Sequence, residues 1–107
     1  MTINNIDLSE ERLKEICLKY QVKELSIFGS ALRDDFNSGS DIDLLVTFYD
    51  NTGYSLFEIV RIKEEFEQFL NRPVDLVNRK AIGKSKNRYR KRAILESAKV
   101  IYPASFL

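Results

Sequence analysis

The sequence predicts a small α/β (α+β) domain, a mixed β-sheet flanked by helices, and three observations carry that prediction. Apolar runs at 23–28, 41–48 and 74–77 have the length and composition of strands. Longer stretches between and around them repeat their apolar residues at helical spacing. Turn and stop residues (Gly29-Ser30, Asn37-Ser38-Gly39, Asn71-Arg72-Pro73) mark the boundaries. At 107 residues and 12.5 kDa, a single domain over 1–107 with one core is expected.

Residues 7–20 read as an amphipathic helix. Asp7 followed by Glu10 resembles a capping box, with Ser9 as the rival cap. Leu13, Ile16, Cys17 and Tyr20 then recur at i, i+3, i+4 and i+7, which makes Cys17 a small core hydrophobe. Residues 23–28 form a strand with Leu25 and Ile27 on one face. Gly29-Ser30 ends it, Ala31-Leu32-Arg33 begins a short helix, and 34–40 is a polar loop in which Asp34 and Asp35 are solvated. The next strand, 41–48, is continuously apolar through Leu44-Leu45-Val46, as expected where both faces are covered.

After a turn at 49–53, Ser55 and Glu58 predict a capping box for a long helix. Its buried stripe is read as Leu56, Ile59, Val60, Phe66, Phe69 and Leu70, with Phe57 also in the core and Lys63 and Glu64 outside. Asn71-Arg72-Pro73 stops that helix. Residues 74–77 are a third strand carrying Asp75. A last helix with Ile94, Leu95 and Ala98, and a short strand at 100–102, complete the chain.

Composition excludes several chemistries. The chain has no histidine and one cysteine, which removes Ser-His-Asp and Cys-His triads, histidine metal sites, Cys-x-x-Cys zinc sites and an internal disulfide. Any catalysis must rest on carboxylates, hydroxyls, Lys or Arg. A net charge of +1 predicts neither a membrane nor a direct nucleic-acid partner from bulk charge. No apolar run approaches the roughly 20 residues of a membrane span, and the first seven residues lack the order of a secretion signal. A cytoplasmic location is expected.

The most informative stretch is Asp41-Ile42-Asp43. Strand side chains alternate faces, so Asp41 and Asp43 point the same way at the mouth of an apolar strand. At about 4 Å and an effective dielectric near 20, two such charges repel by on the order of 4 kcal/mol. A hard divalent cation with oxygen ligands would remove that cost. The element order brings a third carboxylate, Asp75, towards the same sheet edge. Gly29 permits close backbone approach, and a helix start near Ser30 offers N–H groups to an anion. A cation site facing an anion cradle suits a nucleoside triphosphate with magnesium.

Gly29-Ser30, ten intervening residues and Asp41-Ile42-Asp43, with Val74-Asp75-Leu76 downstream, resembles the signature of the DNA-polymerase-β-like nucleotidyltransferase superfamily. Within it the chain is similar to the minimal nucleotidyltransferases. The resemblance implies the polymerase-β-like fold, two Mg2+ ions held by Asp41, Asp43 and Asp75, and ATP as substrate. Asp75 would also help deprotonate the acceptor hydroxyl. Gly29 and Ser30 would hold the triphosphate, with Arg33 reaching a phosphate. Small members of this group are often antitoxins that transfer AMP to a tyrosine of a HEPN-domain ribonuclease toxin, in a hetero-oligomer. Two alternatives stand beside that expectation: an antitoxin that neutralises by binding alone, and a nucleotidyltransferase acting on an antibiotic.

Residues 79–92 carry eight cations and no acid. They are read first as a solvated helix face, with triphosphate contact by one or two of them, or an RNA- or partner-binding patch, as the other readings. Tyr89 in their midst could stack on a base.

Overall fold

The computed structural model of the chain describes residues 2–3, 6–32, 40–50, 52–84 and 86–103. Strands β1 (Thr2–Ile3) and β2 (Ile6–Asp7) pair with each other, ahead of α1 (Glu10–Lys19) and β3 (Val22–Phe28). A single 3-10 turn, Gly29–Leu32, follows. Then come β4 (Ile42–Phe48), α2 (Leu56–Leu70), β5 (Val74–Asn78), α3 (Arg79–Gly83), α4 (Arg88–Ser97) and β6 (Lys99–Tyr102). The main sheet has the order β5-β4-β3-β6, with β4 and β5 parallel and the other pairs antiparallel. It is the expected mixed sheet.

Period-two alternation assigns the two faces. Leu25 and Ile27 of β3 and Ile42, Leu44 and Val46 of β4 join one core with Leu13, Ile16 and Cys17 of α1 and Ile62, Phe66 and Leu70 of α2. Phe28 and Leu45 point the other way and join Ile82 of α3 and Ile94 of α4 in a second cluster. Full burial of an aliphatic or aromatic side chain contributes about 1.5–3 kcal/mol. A one-residue slip would therefore reverse every such contact, and the register is held strongly. The Cys17 thiol, pushed up to about 12 by burial, is a core group as expected.

Helices α1 and α2 start differently. Ser55 and Glu58 form the predicted capping box on α2: the Glu58 N–H donates to Ser55 Oγ (3.4 Å) and the Ser55 N–H donates to Glu58 Oε1 (3.2 Å). Asp7 is not a cap, because it pairs in β2; Ser9 occupies the N-cap of α1 without a side-chain hydrogen bond. The α2 stripe is also displaced from the expected one. Ile62 is buried, whereas Leu56, Val60 and Phe57 are 78, 43 and 89% exposed. These three lie off the stripe of Ile59, Ile62, Phe66 and Leu70 through which α2 packs on the core, Phe57 and Val60 on the flank turned away from it. No helix among the described residues is long and apolar enough to cross a membrane.

A polar clasp joins α1 to α2. The Tyr20 hydroxyl donates to Glu65, and Lys19 Nζ lies 3.2 Å from Glu65 Oε1. The Tyr20 bond, followed by the Lys19 contacts against some desolvation, holds the Glu65 carboxyl below its ordinary range; the same bond holds the Tyr20 phenol above its own. A depressed carboxylate contributes stability that is present above its unfolded pKa and lost as pH falls through the folded one. A raised phenol contributes stability that is present below its unfolded pKa and lost as pH rises through the folded one. Tyr20→Phe should therefore cost about 1.5–3 kcal/mol at neutral pH, the scale of a hydrogen bond to a charged group. The difference from wild type should shrink in acid below the ordinary glutamate range and again in strong alkali. Urea titrations at three pH values measure it.

Candidate active site

The register positions the acids. Asn71 ends α2 in the left-handed region (φ 56), and the chain turns through Pro73 into β5. The Ile42 N–H donates to the Pro73 carbonyl at 2.9 Å, which aligns Ile42 with Val74 and hence Asp43 with Asp75. Two further contacts secure this corner. Val74 N–H donates to Glu67 Oε2 of α2 at 2.9 Å, and this bond is the main cause holding that carboxyl below its ordinary range. Arg72 Nη1 donates to the Ser40 carbonyl, just before β4.

In a parallel ladder, aligned residues share a face. Asp43 and Asp75 therefore stand side by side on the face that carries Leu45, the side covered by α3 and α4. Phe28, antiparallel partner of Asp43, lies across the same ladder. Both acids line an open cleft of about 610 Å³, within the range of small-ligand sites. Phe28 at the end of β3 and Gly29 of the 3-10 turn continue the wall of the acids, and the facing wall is α4, through Arg90, Ala93, Ile94 and Ser97.

Gly29 fits this cleft for two separate reasons. Its φ is +71, a conformation that L side chains rarely adopt. A Cβ built there would stand 2.3 Å from Asp43 Oδ2, so only a residue without a side chain lets the carboxylate lie over the turn.

The three expected acids are not equivalent. Asp43 and Asp75 share the cleft wall; Asp41 lies one residue before β4, is exposed, and is not part of that wall. Among the described residues, no group of three or more potential ligands could hold a metal ion by itself. Two neighbouring carboxylates nevertheless fit magnesium, which is commonly bound through one or two carboxylates plus substrate phosphates and waters. The backbone of Ser30 lies in the 3-10 turn beside Gly29. Arg33, the expected phosphate contact, lies outside the described residues, as do Asp34 and Asp35. Arg90 is a cleft residue that the sequence does not single out, since it sits in a run rich in equivalent cations.

The fold and this cleft define a class of protein. The nucleotidyltransferase domain family matches residues 10–101, and the chain belongs to that family. It is a nucleotidyltransferase. Among its relatives, MJ0435 of Methanocaldococcus jannaschii, provisionally named a protein adenylyltransferase, is 41% identical over 78 residues, covering 73% of this chain and 82% of the relative. The protein adenylyltransferase MntA of Thermococcus cleftensis is 33% identical over 69 residues, 64% of this chain and 68% of its own. A solved structure described as a minimal nucleotidyltransferase superposes with TM-score 0.64 at 28% identity, over 84% of this chain and 86% of that one. The crystal structure of a toxin–antitoxin with AMP-PNP gives a TM-score of 0.67 over 92% of this chain and 76% of that chain; at 17% identity it speaks to the fold alone.

Proposed function

We propose that this nucleotidyltransferase is an antitoxin-type protein adenylyltransferase, which moves AMP from ATP to a tyrosine hydroxyl of a cognate HEPN ribonuclease toxin. The observation that carries the reading is the side-by-side placement of Asp43 and Asp75 over Gly29 in one open cleft. The names of the relatives support the transferred group and the protein acceptor.

In this reading the acceptor oxygen attacks the α-phosphorus, the bond from that phosphorus to the bridging oxygen breaks, and pyrophosphate leaves. Asp75, at the sheet edge, takes the acceptor proton. Gly29 and Ser30 cradle the polyphosphate with backbone N–H groups, and Arg33 adds a phosphate contact. Asp43 and Asp75 would hold magnesium, with Asp41 as the further ligand that the Asp-x-Asp pattern offers for a second ion, and the metal when bound would stabilise charge on the attacking and leaving oxygens. The cleft is open, so an acceptor carried on another chain can enter it.

Leu56, Phe57 and Val60 support a protein partner as well. Three large apolar side chains exposed together in the first two turns of one helix offer a surface that a protein partner can cover. That surface lies beyond the C-terminal end of β4, about 17 Å of strand away from Asp43 near the N-terminal end. A toxin held there and neutralised without transfer is the second reading.

The test is direct. The chain, ATP, magnesium and the co-purifying partner are incubated, and the partner's intact mass is measured. Addition of one or more adenylyl groups, mapped to a tyrosine, is expected. A tight complex whose partner gains no mass would leave neutralisation by binding alone. Release of pyrophosphate with an antibiotic acceptor and no protein partner would point instead to a small-molecule enzyme.

A further inference from the structure

The side chains around the cleft are unequal in what they can offer a ligand. Phe28, Leu32, Ala93 and Ile94 are apolar, and Asp43 and Asp75 are acceptors. The Ser97 hydroxyl is already committed, donating to the Ala93 carbonyl of its own helix at 2.6 Å. Arg90 is the one cation among these lining residues.

Three other cations of the basic run are engaged elsewhere, and none of the run but Arg90 lines the cleft. Arg92 pairs with Glu96 at 2.9 Å, Arg79 with Glu24 at 3.2 Å, and Lys91 Nζ reaches the Gly83 carbonyl. The Arg90 guanidinium has no ion pair among the described residues; only its backbone is bound, the N–H donating to Asn87 Oδ1 at 3.1 Å. That bond caps the ten-residue α4 and fixes Arg90 in its first turn, on the wall facing the acids. A planar guanidinium presents five donors in a fork that matches phosphate oxygens.

We infer that Arg90 is the polyphosphate-binding residue of the α4 wall, gripping the part of the nucleoside triphosphate that departs as pyrophosphate. The inference rests on the adenylyl-transfer reading and adds to it a residue and a division of labour. The β4–β5 wall handles the cation and the acceptor proton. The α4 wall supplies the positive charge that two carboxylates cannot. The other cations of the run remain solvated or paired.

Calorimetric titrations of the full chain with AMP-PNP plus magnesium, and separately with AMP, test this. Arg90→Ala is expected to weaken AMP-PNP binding by roughly 10–100-fold, the range for a hydrogen-bonded charge pair, while AMP affinity stays within about twofold. Arg90→Lys should recover only part of the loss, because charge returns without the fork. Arg88→Ala, which removes an equal charge from the same helix outside the cleft wall, should bind AMP-PNP as wild type does. Arg90 is exposed, so its variants should keep the wild-type melting temperature.

Unchanged AMP-PNP binding by Arg90→Ala would overturn the inference alone, as would equal weakening of AMP or an equal effect of Arg88→Ala. Wild-type protein that bound no nucleotide would overturn the adenylyl-transfer reading and the inference with it.

Discussion

Asp43→Asn should cut adenylyl transfer by at least about 10²–10³-fold, the loss seen when one group that stabilises reacting charge is removed, and should not weaken the fold. Asp43 and Asp75 are aligned across a parallel ladder, on one face, and both open onto the cleft. Like charges directly opposed in a sheet destabilise it by about 0.2–1 kcal/mol. The amide removes one of the two charges with nearly the same shape. The melting temperature should therefore stay within about 5 °C of wild type for a domain of this size. Loss of activity at near-constant stability is the signature of a group kept for its chemistry.

Two measurements read this prediction: transfer to the partner by mass spectrometry, and thermal melting in a magnesium-free buffer. Magnesium should then raise the melting temperature of wild type more than that of the variant, because ligand binding stabilises only the state with an intact site. A variant that transfers AMP at the wild-type rate would remove Asp43 from the chemistry. A variant that melts well below wild type would mean the carboxylate is a structural group, and the lost transfer would then be a folding effect.

Much of this site is legible in the amino-acid sequence because its signals are local. A two-residue alternation puts Asp43 and Leu45 on one face whatever the rest of the chain does, and Gly29-Ser30 needs only its spacing to be noticed. Asp75 is legible through its apolar frame, Val74 and Leu76, which has the character of a strand. Other features depend on tertiary packing. Leu56, Phe57 and Val60 extend the apolar surface of α2 around its start, yet only Ile59 in those turns packs against the core. Asp7 has the spacing of a cap and is claimed by strand pairing instead. Strands of two residues and the five-residue α3 are too short to show any period. Arg90 is hidden among equivalent neighbours: eight cations look alike in sequence, and only the docking of α4 through Ile94 turns one of them towards the acids.

Gly29→Ala should be far more disruptive than the same change at Gly53, and the comparison shows why. Both glycines have positive φ, +71 and +56. Forcing an L residue into that region costs about 1–3 kcal/mol at either position. At Gly53 nothing lies within 4 Å of the added Cβ, so the backbone term is the whole cost and transfer activity should be unchanged. At Gly29 the new methyl would stand 2.3 Å from Asp43 Oδ2 and 3.3 Å from its Cγ. Either the turn or the carboxylate must move, and both belong to the cleft. Gly29→Ala should therefore melt lower than Gly53→Ala and lose at least about 10²-fold in transfer, the consequence of displacing a reacting geometry by an ångström. A double-mutant cycle isolates the collision. Combining Gly29→Ala with Asp43→Ala removes the atom that is struck, so the stability cost of Gly29→Ala should fall to that of Gly53→Ala. If the cost stays the same with or without the Asp43 side chain, the carboxylate does not lie over Gly29 in solution, and the geometry on which the cleft depends is wrong.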